Sequence, residues 1–146
     1  MKRTLFTLLL AVMAITASAQ SKTSDCAQAI DRMCLAFKYM GESILQCASI
    51  DDMDKVSYDE AIQKAHLEDI DDSCASYVLT KSDKDKLIKS FGGFVDQMTK
   101  KVCQLTDNIL PVEEIRKQFD PMVSRFSQLV NKSTTLSQLL ENVNTL

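Results

Sequence analysis

Three stretches of this chain carry apolar side chains at alternating steps of three and four, and that periodicity leaves few folds open to it. The first runs Cys26, Ile30, Met33, Phe37, Met40, Ile44 and Cys47, with polar Gln28, Asp31, Arg32, Lys38 and Glu42 on the other side. The second runs Ile88, Phe91, Val95, Met98, Val102, Leu105 and Ile109. The third runs Val112, Ile115, Phe119, Met122, Phe126, Leu129, Ser133, Leu136, Leu140 and Val143, with Ser133 its one polar member. Such spacing places the apolar groups on one side of a helix. Leu87, Phe94, Val123, Val130 and Leu139 widen the stripes beyond a bare coiled-coil seam, which favours a globular bundle over an intermolecular coiled coil. Three glycines and two prolines are too few for the regular turns of an all-β domain. The expected fold is all-α: an antiparallel bundle of three long helices plus one short helix.

Local signals set the expected boundaries. Ser82 with Asp85 offers a capping box for the second long helix, and Ser57 with Glu60 offers one for a short helix that turns Ala61, Ile62 and Ala65 inward. A phase slip at Asn108–Pro111 marks a helical hairpin turn. Pro121 removes a backbone donor inside the third pattern and predicts a kink near Asp120. Gly92-Gly93 interrupts the second helix, and the expected reason is close approach of a neighbour.

The first residues have a separate meaning. Lys2-Arg3, the apolar run Leu5–Ile15 and the small residues Ala17-Ser18-Ala19 read as a cleaved secretory signal, residues 1–19, followed by a single domain, 20–146. Location in the periplasm or outside the cell is the expectation. Removing Lys2 and Arg3 takes the formal net charge from −3 to −5. A mildly acidic chain lacks the electrostatic footprint of a nucleic-acid binder, and no apolar run after the signal is long enough for stable membrane insertion.

Export makes the five cysteines eligible for bridges. On one helix Cys26 and Cys34 stand about 12 Å apart along the axis, and Cys34 and Cys47 about 20 Å, so none of these pairs can close. If the chain runs up, returns and runs up again, Cys74 comes back to the start of the first helix and Cys103 arrives near its end. That path favours Cys34–Cys74, or Cys26–Cys74, together with Cys47–Cys103. The preferred set is Cys34, Cys74, Cys47 and Cys103 in bridges with Cys26 as a free thiol. Buried thiols acting as small apolar residues are the alternative.

Chemical motifs are sparse. His66 is the single histidine, with no partner motif around it. Cys26, Met33, Cys34 and Met40 read as core spacing before they read as a soft-metal set. Asp69, Asp71 and Ser73 begin like a calcium loop, but Cys74 and Thr80 stand where glycine and glutamate are needed. The acidic clusters at 51–54 and 68–72 therefore read as caps and solvated loops. Asn131-Lys132-Ser133 matches a glycosylation acceptor inside an expected helix. No catalytic, cofactor or metal residues are assigned. The expected function is a non-enzymatic protein–protein interaction or structural module, its partner another protein or itself, with a homodimer through the Val112–Leu146 helix. The alternative is a carrier holding a small apolar ligand among Phe37, Phe91, Phe94, Phe119 and Phe126.

Overall fold

A computed structural model describes residues 26–143; the expected signal peptide lies outside the described residues. The elements in chain order are α1 (Cys26–Leu45), α2 (Ile50–Lys55), α3 (Asp59–Lys64), two 3₁₀ turns (Leu67–Asp69 and Asp72–Ser76), α4 (Lys81–Leu105), α5 (Val112–Lys132) and α6 (Leu136–Val143). Among the described residues there is no strand beyond a single bridge between Val78 and Thr135. Helices packed on helices make up the domain, as the periodicity predicts.

The direction of the rods differs from a simple antiparallel set. Lys86 Nζ lies 3.1 Å from Asp31 Oδ1, Gly41 faces Gln97, and Lys101 Nζ donates to the Leu45 carbonyl at 2.7 Å. Contacts that advance together along both helices mean that α1 and α4 run parallel. The returning stretch is 46–80, whose short helices and turns pack along α1. α5 then runs antiparallel to α4, with Lys84 Nζ donating to the Asn131 carbonyl at one end and Arg116 pairing with Asp96 towards the other.

The seams meet in one core. Phe91 stacks on Phe126 with ring centroids 4.1 Å apart, and Phe37 meets both edge-on at 5.6 and 6.0 Å. Phe94 adds the next layer and receives the Tyr58 ring from the returning segment. Ala61, Ile62 and Ala65 point inward as expected.

The start of α4 is set two residues earlier than the Ser82–Asp85 box. Thr80 Oγ1 accepts from the Asp83 N–H at 3.1 Å, and Asp83 Oδ2 accepts from the Thr80 N–H at 2.9 Å and the Tyr77 hydroxyl at 2.8 Å. Ser57 makes no box with Glu60; its hydroxyl accepts only from the Asp59 N–H, and Glu60 pairs with Lys64. Burial opposes the charge on Asp83, but the hydrogen bonds from Thr80 and Tyr77, with Lys86 nearby, hold its carboxyl below the ordinary 3.8. A depressed value in the folded state means this stabilisation is complete above the unfolded-state pKa and is lost as pH falls through the folded value. Asp83→Ala is therefore expected to cost about 1 kcal/mol at neutral pH and to flatten the acid limb of stability, read by urea unfolding over a pH series. An unchanged acid limb would remove Asp83 from that role.

The expected third helix is divided, and not at Pro121. α5 continues through Pro121, which lies on the exposed side where water can serve the carbonyl left without a donor. The break comes at Ser133, whose backbone turns extended (φ −79, ψ 136). Ser133 Oγ donates to the Leu129 carbonyl at 2.7 Å and accepts from Asn142 Nδ2 at 2.9 Å. The Leu79 N–H donates to the Thr134 carbonyl, and the Leu136 N–H to the Tyr77 carbonyl. Thr135 and Gln138 then open α6 by exchanging bonds with the Gln138 and Thr134 N–H groups. The groups a continuous helix would pair internally are thus paired across to 77–79.

Gly92 and Gly93 do not serve close approach. A Cβ at either would meet nothing within 4 Å, and both stay in regular helix. The close approach is at Gly41, where a Cβ would sit 3.2 Å from Gln97 Cγ. Each mid-helix glycine costs about 1 kcal/mol relative to alanine, and nothing within the chain requires the pair in α4.

Candidate interaction surface

The returning stretch 46–80 ends beside the first turn of α1, so Cys74 meets Cys26 at disulfide distance, with α-carbons 5.3 Å apart. The preferred pairing is corrected: Cys26 is not the free thiol, and Cys34, Cys47 and Cys103 are thiols. The reason is the length of the return. It covers the whole of α1 and overshoots Cys34, which instead sits on the α1–α4 side. Burial raises the Cys34 thiol above its ordinary value despite its hydrogen bond with Ser90. Burial likewise raises Cys47, with Asp52 adding to it. Both are protonated at neutral pH and are poor nucleophiles.

The other polar candidates settle into structural posts. His66 takes a left-handed backbone (φ 54) that ends α3, is exposed, and lies 3.5 Å from Asp69 Oδ2. Asp52 Oδ2 accepts from the Ala48 N–H, while Ser49 accepts from the Asp52 N–H. Asp71 accepts from the Ser73 N–H. These are the caps expected of the acidic clusters. Met33 and Met40 are core residues. Among the described residues no three His, Cys, Asp or Glu side chains gather as a cation site, and no helix is long and apolar enough to cross a membrane.

Between the helices, the apolar space lined by Met33, Phe37, Met40, Phe126, Leu139 and Val143 measures ≈ 30 Å³. A water needs roughly 10–15 Å³ on this measure, so it is smaller than a ligand chamber. Phe37, Phe91, Phe94, Phe119 and Phe126 are all buried against protein.

The third seam, expected to stay available for docking, faces mostly inward, with Met122, Leu129 and Leu140 half-buried and Val112 exposed. Its members Ile115, Phe119, Phe126, Ser133, Leu136 and Val143 are buried, as are the flanking Val130 and Leu139. Large apolar groups are exposed chiefly at the α4–α5 turn, with Val78 apart from them beside Thr135. Ile109 is 78% exposed, and Leu110 and Val112 are each 45% exposed. Asp107 and Asn108 hold left-handed backbones (φ 54 and 55) just before them. The Asn108 N–H donates to the Cys103 carbonyl and the Ile109 N–H to that of Thr106, which closes the end of α4 and turns Ile109 outward. Leu45 and Ile50, also exposed, belong to the same end, because Lys101 ties the last turn of α1 to the last turns of α4. Sequence periodicity counts Ile109 and Val112 as inward seam positions; α4 ends at Leu105, so its period does not reach Ile109, and Val112 opens α5 in a first turn that extends past the core.

No protein-family model, curated protein or solved structure matches the chain.

Proposed function

We propose that this chain is an exported, non-enzymatic interaction module that engages another protein through the apolar end formed by Leu45, Ile50, Ile109, Leu110 and Val112. The carrying observation is that, of the six large apolar side chains exposed among the described residues, five gather at this one end, and Val78 alone lies apart in the return segment. Soluble domains keep such groups scattered, and a gathered set marks a contact surface. The tight turn through Asp107 and Asn108 presents Ile109 and Leu110 on a fixed frame, which lowers the ordering cost of binding. Export rests on residues 1–19 and is in keeping with the Cys26–Cys74 pair, since bridges persist in oxidising compartments. The carrier alternative has less support, because the apolar space between helices is ≈ 30 Å³.

The test is the double substitution Ile109→Asp with Leu110→Asp. Both sites are exposed, so the melting temperature is expected to stay within about 2 °C of the parent. Partner capture from envelope extracts, quantified against the parent, is expected to fall at least about 30-fold, the loss typical of central anchors. Equal capture by both proteins would end the proposal.

A further inference from the structure

The outward face of α4 carries Asp85, Lys89, Gly92, Gly93, Asp96 and Lys100, which share roughly 100° of the helix circumference. Asp85, Lys89, Gly93 and Lys100 are exposed, and Gly92 and Asp96 half-buried. The face is flanked by two open grooves. One of ≈ 510 Å³ lies towards α1 and one of ≈ 370 Å³ towards α5, and Lys89 and Gly93 line both. Space above the two glycines is empty to at least 4 Å, so another backbone can lie directly on them.

The charges on this face are inverted about the glycines. Lys89 precedes the Gly92–Gly93 midpoint by as many residues as Asp96 follows it, and Asp85 precedes it by as many as Lys100 follows. A two-fold axis through that midpoint sets Lys89 against Asp96 of a second molecule and Asp85 against Lys100, each pair occurring twice. We propose that a second copy of this chain docks here, α4 lying antiparallel on α4 and crossing at Gly92–Gly93. An isologous contact requires a self-complementary surface, and this pattern supplies one. A foreign partner would place no such demand on the order of charges.

Competition from within the chain is slight. Among the described residues Asp85, Lys89 and Lys100 make no ion pair, and Asp96 pairs with Arg116 in an exposed contact that can accept a second cation. Lys86, on the rim of the wider groove, is occupied by Asp31. Asp120 lines the narrower groove and offers Lys89 of the second copy a further acceptor.

Sedimentation equilibrium over a concentration series tests the proposal. The parent is expected to pass from monomer to dimer below about 1 mM and to dissociate in about 1 M salt, where the Debye length shrinks to roughly 3 Å. Asp85→Lys is expected to weaken the dimer about tenfold, and Asp85→Lys with Lys100→Asp to restore it. Those two positions are about 22 Å apart along α4, so rescue can come only from a neighbouring molecule. Gly93→Gln fills the face without a clash in the monomer; the variant is expected to melt higher than the parent and to stay monomeric. The Ile109→Asp, Leu110→Asp protein is expected to dimerise like the parent, which separates this contact from the apolar end. A parent monomeric at every concentration, a charge swap without rescue, or a dimer that survives Gly93→Gln would each overturn the proposal.

Discussion

Replacing Cys26 and Cys74 together by alanine is expected to lower stability by about 4 kcal/mol, the loop-closure value for the 48-residue separation of the pair. For a domain of this size the melting temperature should fall by about 15 °C. Alanine is the right replacement because Cys74 is wholly buried and a serine hydroxyl would lack a partner there. The position of the bridge adds to its length. It joins the first turn of α1 to the 3₁₀ turn Asp72–Ser76, and Tyr77, next along the chain, holds Asp83 at the head of α4 and accepts from the Leu136 N–H at the head of α6. Loss of the bridge should therefore be felt first at 70–79 and 134–136. Native-state hydrogen exchange is expected to speed up there before the centre of α4 responds. A melting temperature within 2 °C or so of the parent would mean that the return segment is held without the bridge.

Phe91→Ala is the second large effect, with an expected loss of about 4 kcal/mol. Phe91 is nearly fully buried, stacks on Phe126 and touches the rings of Phe37 and Phe94. Truncation removes a large apolar area, the ring contacts and the packing of three neighbours at once. The site lies where α1, α4 and α5 meet, so those neighbours cannot all close over the space. Ile109→Ala gives the contrast: an aliphatic residue counted in the same sequence seam, but exposed, is expected to shift stability by less than about 0.5 kcal/mol. Chemical denaturation of the two variants side by side reads both numbers. Comparable losses would show that Ile109 is packed and would undo the apolar end as a surface.

The contrast between Phe91 and Ile109 also shows what a periodic pattern can reveal. Within a helix it identifies the inward face, and Ile30, Phe37, Phe91, Met98, Ile115 and Phe126 all lie where their spacing puts them. It does not say where the helix stops. The end of α4 is set by left-handed turns at Asp107 and Asn108, residues that tolerate that backbone without announcing it. The break after α5 was carried by a visible cue, Ser133-Thr134-Thr135, whose hydroxyls compete for backbone groups. Pro121 drew attention as the stronger breaker, yet its solvent-facing position made it tolerable. Gly92-Gly93 was legible as a departure from helix propensity, but no neighbour within the chain explains it; Gly41, a single glycine inside the first pattern, departs in the same way, and it is there that α1 meets α4 closely. The cysteine pairing turned on how far 46–80 travels. That stretch is built from short helices and 3₁₀ turns with no long period to measure, so geometry along α1 could remove pairs but not choose between Cys26 and Cys34 for Cys74.

The chain runs up along α1, back through 46–80 to the first turn of α1, then up again along α4 beside it. Peptide mapping of the purified protein without reductant tests that path most directly. One cross-linked pair, Cys26 with Cys74, is expected, with alkylation of Cys34, Cys47 and Cys103 after unfolding. A Cys34–Cys74 or Cys47–Cys103 peptide, or five alkylated thiols, would contradict it.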